Sequence, residues 1–213
     1  MAKQAIGAGT LLAPLPVVLI GTCGEVAREQ GTTVIQNPMT AAWAGVINSE
    51  PAMLSVSVRP SRLTHQFLME TGEFTVNVMA AKHAALVDFC GVKSGRDLDK
   101  VAALKLTTRP VGLSVTAGYE ESAVILACTV QEVKKLGSHD LFLARIVDGF
   151  ADSDLFDGQK LDLTRTDLLS YAHGDYYGGG QRIGFFGYSV AKQNVLKRRL
   201  PREHWPKRSP LVL

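Results

Sequence analysis

The chain has 213 residues, 46% of them apolar and 20% charged, with a formal charge of +3. That balance excludes a disordered chain and suffices for one domain with a sizeable core, and no apolar run reaches the roughly 18 residues of a membrane-spanning helix. The charge is unevenly placed: residues 190–213 carry seven Lys/Arg against the single acid Glu203, which leaves −3 on residues 1–189.

Pro201, Pro206 and Pro210 interrupt the basic end, and no aromatic series accompanies its cations. It therefore reads as an arm or tail (191–213) appended to one domain (1–190), and not as a nucleic-acid recognition element. The opening stretch to Gly21 is broken by Pro14 and Pro16 and lacks the pattern of a signal peptide. Cys23, Cys90 and Cys128 form no CxxC pair and the five histidines no HExxH, so neither disulfides nor a metal site is expected. A reducing cytoplasm is the expected compartment, with no membrane or nucleic-acid partner.

In chain order, Val17 to Ile20 reads as a strand, followed by Thr32 to Gln36, which Asn37-Pro38 is expected to close. Leu54, Val56 and Val58 alternate with Ser55 and Ser57. A helix from Ser61, its expected cap, runs to about Glu70 with Leu63 and Phe67 on one face, and Gly72 ends it. Phe74, Val76 and Val78 then alternate with Thr75 and Asn77. Short helices are expected over Lys82 to Phe89 and Leu98 to Leu104. Val124 to Val133 and Leu141 to Val147 form a pair joined by Gly137-Ser138-His139-Asp140. At least six strands with few helices between them favour antiparallel pairing in a closed barrel over a doubly wound sheet. Gly7-Ala8-Gly9 precedes every strand and Gly178-Gly179-Gly180 follows nearly all of them, so neither serves as a dinucleotide fingerprint.

The chemistry concentrates between Asn37 and Lys100. In NPMTAAW (Asn37 to Trp43), Thr40-Ala41-Ala42 offers small side chains where backbone N–H groups can approach a flat ligand, and Trp43 offers an aromatic wall. The same residues equally suit a strand end with a core tryptophan. In LSVSVRPSRLTH (Leu54 to His65), Arg59 and Arg62 with nearby hydroxyls and helix N-terminal amides suit a phosphate, or else are solvated surface charges. In DFCGVKSGRDLDK (Asp88 to Lys100), Cys90-Gly91 and Ser94-Gly95 allow close backbone approach, while Lys93, Arg96 and Lys100 add positive charge against Asp97 and Asp99. Cys90 also reads as a small buried hydrophobe.

Together with GEFTVNV, GSHDLFLARIV and YYGGGQRIGFFG, these collinear pieces resemble the flavin reductase-like, FMN-binding split-barrel family, and within it the flavoredoxin-like branch, over about Pro14 to Val190. The resemblance implies a mainly β fold, a six-stranded antiparallel Greek-key split barrel with flanking helices, forming a homodimer with FMN near the subunit interface. It implies that Asn37, Met39 and the Thr40-Ala41-Ala42 backbone contact the flavin edge, with Trp43 packed close by. Ser55, Val56, Ser57, Arg59, Arg62 and Thr64 would surround the ribityl chain and phosphate. Cys90, Gly91, Ser94 and Gly95 would line the same cleft, Lys100 and His139 would lie near the ring as the catalytic pair, and Tyr176 and Tyr177 would cover it. Phe185-Phe186-Gly187-Tyr188 would close over that end. NAD(P)H is the implied electron donor, with a redox partner or a flavin acceptor downstream; an electron carrier without turnover of its own is the alternative. Two positions depart from the common pattern: no proline follows Val78, and Ala144 stands where glycine is frequent.

Overall fold

The strand that the Leu54–Val58 alternation predicts is present, its three apolar side chains at most 3% exposed and Ser55 and Ser57 half-buried on the other face. The computed structural model describes residues 2–29, 31–180, 191–199 and 201–202. The strands are β1 (Leu15–Pro16), β2 (Val18–Arg28), β3 (Gly31–Ala41), β4 (Ala44–Ser49), β5 (Ala52–Val58), β6 (Glu73–Val78), β7 (Thr108–Pro110), β8 (Ala117–Tyr119), β9 (Val124–Lys135), β10 (Asp140–Ala151), β11 (Phe156–Asp157), β12 (Lys160–Leu161), β13 (Ser170–Ala172) and β14 (Asp175–Tyr177). The helices are α1 (Leu63–Thr71), α2 (Ala84–Val92), α3 (Lys100–Leu104) and α4 (Gln193–Arg199). The chain forms two compact units, Met1–Gly179 and Gly180–Leu213. In the second, α4 ends in Lys197, Arg198 and Arg199; the Phe185–Tyr188 motif and the tail from Glu203 lie outside the described residues.

Seven strands form the main sheet in the order β3-β2-β6-β9-β10-β5-β4, antiparallel throughout. Six are those read from the sequence; β4, whose side chains are mostly exposed, is added at one end. The hydrogen-bonded ladder runs from β3 to β4 without closing, so the closed barrel is replaced by a split one. The sheet still wraps one core: Ile20, Met39, Val56, Phe74, Cys128 and Phe142, drawn from β2, β3, β5, β6, β9 and β10, belong to a single cluster. Phe74 and Phe142 are 0% exposed, and complete burial of each contributes about 1.5–3 kcal/mol.

Two expectations change, and one face proves more buried than its residue types require. Asn37-Pro38 does not end the second strand, because β3 continues to Ala41 with Pro38 opposite Gly21. An edge strand has no second ladder to complete, and proline is admitted there. Ser61 is not the cap of α1; Arg62 is the N-cap residue, without a side-chain cap bond, while Gly72 ends the helix at φ 66° as expected. The polar face of β6 is not solvated. Thr75 and Asn77 are 0% exposed. Asn77 Nδ2 donates to Leu19 O (3.1 Å) and Thr75 Oγ1 (2.8 Å), and its Oδ1 accepts from Tyr119 N (3.0 Å).

Candidate functional site

The chain reverses tightly after β5. Arg62 N donates to Arg59 O and His65 N to Arg62 O, each at 3.0 Å, so Arg59-Pro60-Ser61-Arg62 turns directly into α1. Opposite this turn, the loop from Lys93 to Asp99 is pinned from below. Arg28 donates through Nη2 to Gly95 O (3.0 Å) and through Nη1 to Arg96 O. Arg96 in turn donates to Ser61 O (3.0 Å) and Gln66 Oε1 (3.3 Å), tying the loop to the turn. Gly95 is buried against Asn37, and a Cβ there would overlap Asn37 Oδ1 and come 2.8 Å from Leu63 Cδ2.

Between turn and loop lies a cavity of about 470 Å³, lined by Asn37, Met39, Arg59, Arg62, Thr64, Ser94, Gly95 and Lys100 of the expected set. Ser61, Leu63, Lys93 and Arg96 complete it. Among the described residues no carboxylate lines it. Among the described residues the Arg59, Arg62 and Lys93 side chains make no hydrogen bond or ion pair, so their charges are available to a ligand. Asn37 is 2% exposed; its Nδ2 donates to Thr64 Oγ1 (2.9 Å), while the buried Oδ1 has no partner. Such an orphaned acceptor costs about 1–3 kcal/mol unless a donor reaches it.

A second cavity of about 350 Å³ shares Met39, Arg59 and Arg62 with the first and adds Thr40, Ala41, Ala42, Trp43, Ser57, Val58, His139 and Tyr171. Its walls are aromatic: the Trp43 and His139 rings lie 4.8 Å apart, tilted by 41°. His139 sits in the turn between β9 and β10, where Leu136 N donates to His139 O (3.0 Å). Partial burial, and secondly the Arg59 charge, hold its imidazole below the ordinary value. The shared residues make the two cavities one elongated cleft, cationic at one end and aromatic at the other.

The cleft separates the two residues expected beside a ring: His139 lines the aromatic cavity and Lys100 the cationic one. Lys100 opens α3, capped by Asp99, whose carboxylate accepts from Ala102 N (3.0 Å). It is 3% exposed, and its Nζ donates to Cys90 O at 3.2 Å. Burial, helped by Arg62, brings its amine down to about 8.

Six expected residues line neither cavity. Val56 and Cys90 are 0% exposed, Val56 in the barrel core and Cys90 on the buried face of α2; burial pushes the Cys90 thiol up to about 11. Gly91 serves packing, since a Cβ there would meet Thr40 Cβ at 3.2 Å. Tyr176 donates to Asp88 Oδ1 (3.1 Å) and packs edge-on to Tyr171 at 5.5 Å, while Tyr177 is 51% exposed. Tyr171 is thus the tyrosine that lines the aromatic cavity. Ser55 borders a third, apolar pocket of about 450 Å³ with Leu12, Leu15 and Trp43.

Known proteins share this architecture. The flavoredoxin of Desulfovibrio vulgaris (Miyazaki F) superposes with a TM-score of 0.76 at 28% identity, over 86% of this chain and 97% of that one. A flavoredoxin from Methanosarcina acetivorans matches at 0.77 and 24% identity, over 89% of this chain and all of that one. In sequence, the chain is 30% identical over 121 residues to an FMN reductase (NADH), RutF, of Variovorax paradoxus, covering 55% of this chain and 65% of that protein. The flavin reductase like domain matches residues 11–180, and the chain belongs to that family.

Proposed function

We propose that the cleft binds FMN and that the protein passes electrons from NADH or NADPH through it to an acceptor. The observation that carries this reading is the polarity of the cleft. Arg59 and Arg62, without a partner among the described residues, suit a phosphate monoester, and Trp43, His139 and the Thr40–Ala42 backbone suit a flat ring. Asn37 Oδ1 is an acceptor awaiting a donor on a ligand. When bound, FMN supplies the hydride and electron chemistry. The chain's part is to hold and shield it: Arg59 and Arg62 neutralise the phosphate, Ser57 and Thr40 offer hydroxyls along the cleft, and Trp43 covers one side. His139 offers a ring nitrogen, its Nδ1 2.9 Å from Ser138 Oγ. A homodimer completes the reading.

The visible spectrum of the purified protein, before and after anaerobic NADH or NADPH, tests this. A flavin spectrum that bleaches with either nucleotide supports it; a protein that stays colourless after incubation with FMN overturns it. A second reading, an electron carrier without turnover, is favoured by the 28% identity to the Desulfovibrio flavoredoxin over nearly its whole length. Tight FMN with slow bleaching by nicotinamides but rapid exchange with a redox protein would select the carrier.

A further inference from the structure

One group of the cationic cavity, expected beside a bound flavin, has surroundings that suit a second chemistry. Lys100 is a lysine taken almost wholly out of water, yet among the described residues no carboxylate lines its cavity. Its one described acceptor is a neutral carbonyl, Cys90 O at 3.2 Å. Asp99, one residue before it, is engaged as the α3 cap. The Cys90 thiol keeps its proton, so it supplies no compensating charge. Of the other cations lining the cavity, Arg62 acts directly against a further ammonium at Lys100. A desolvated lysine beside another cation is the arrangement that leaves an amine free to act as a nucleophile. Arg59, Arg62 and Lys93 form a ready phosphate cradle in the same cavity.

We propose that Lys100 is a covalent capture site for phosphorylated aldehydes: the cradle holds the phosphate while the Lys100 amine forms an imine with the aldehyde carbon. The Nζ lone pair attacks the carbonyl carbon and the carbonyl oxygen leaves as water, with no oxidant or reductant required. The ligand class is a small aldehyde with a phosphate ester a few bonds from its carbonyl, matched to a cavity of about 470 Å³. This inference stands apart from the proposed flavin chemistry, since it uses the cavity when no nucleotide fills it.

Pyridoxal phosphate is a suitable probe. The full chain is stripped of any bound flavin, incubated with the probe, reduced with borohydride and mapped by peptide mass spectrometry. The expected result is one adduct per chain on Lys100, with pyridoxal, which lacks the phosphate, reacting at least tenfold more slowly. Arg59→Gln, at an exposed position of the same cradle, should slow the phosphorylated probe about tenfold more than it slows pyridoxal. Label spread over exposed lysines such as Lys3, Lys93 and Lys135, or equal rates for the two aldehydes, overturns the proposal. A final arm adds FMN before the probe. Protection places FMN in the same cavity, whereas undiminished labelling of Lys100 in saturating FMN counts against the proposed flavin cleft and leaves the imine site standing.

Discussion

His65 Nε2 lies 2.8 Å from Asp140 Oδ2, and this contact joins the two sides of the cleft. His65 belongs to α1, one residue beyond Thr64, and packs edge-on against Phe142 at 5.3 Å. Asp140 is 6% exposed and follows His139 directly, at the start of β10. The pair thus fixes the turn carrying His139 to the helix that follows Arg62. Asp140→Ala should lower stability by about 1–3 kcal/mol, the cost of stranding a buried polar partner. It should also weaken FMN binding, because His139 and Arg62 lose their common reference. Urea unfolding and flavin titration check this, and an unchanged midpoint would show that the pair contributes nothing.

Arg62→Met should separate FMN from riboflavin. A charge-assisted hydrogen bond contributes about 1.5–3 kcal/mol, so FMN affinity should fall roughly 10- to 150-fold while riboflavin, without a phosphate, binds as before. Flavin fluorescence quenching measures both. Equal losses for the two ligands would move the phosphate away from Arg62.

Two glycines give paired predictions. Gly95→Ala drives a methyl into Asn37 Oδ1 and Leu63, at the floor of the cleft. Overpacking of this kind costs about 1–3 kcal/mol, and FMN affinity should fall with it. Gly24→Ala meets the Phe67 ring instead, a residue that lines neither cavity. It should destabilise the fold by a similar amount and leave flavin affinity unchanged. A loss of affinity in both variants would mean that the floor of the cleft is not special.

Lys100 carries a pH signature. Its amine sits at about 8 in the folded chain against an ordinary 10.5. Between those values the unfolded chain binds the additional proton, so stability rises with pH across that window. Below pH 8 the buried ammonium costs the fold on the order of 3 kcal/mol. Lys100→Met should therefore be more stable than the parent at pH 7 and lack the rise above pH 8. Urea unfolding from pH 7 to 10 distinguishes the two curves; a parent curve that is flat over that range removes the argument.

The sequence was most readable where one face of an element is core and the other is not. Leu54 to Val58 shows this, and so does the helix ended by Gly72, because period and φ are local properties. It was least readable where tertiary contacts override local signals. Pro38 looks like a strand terminator until β3 proves to be an edge. Ser61 looks like a cap, yet its carbonyl serves Arg96 instead. In the cleft, Arg59, Arg62 and Asn37 were legible by residue type and spacing. Tyr171 was missed because Tyr176-Tyr177 is the louder aromatic signal, and only the β13–β14 pairing, with Tyr171 opposite Tyr176, decides which ring faces inward. Lys93 and Arg96 were visible as charge, but their convergence with Ser61 depends on Arg28, which lies 67 residues before Gly95.

The two ends of the main sheet are protected unequally. The β3 edge contains a proline and is packed by α2 and α3. Among the described residues the β4 edge has neither device: Val46 is 76% and Ile47 47% exposed along a strand at the end of the sheet. Bare apolar edges of this kind invite intermolecular strand addition. Concentrated protein should therefore lose solubility through β4 first, and a single charge such as Val46→Lys should raise its solubility limit without touching the cleft.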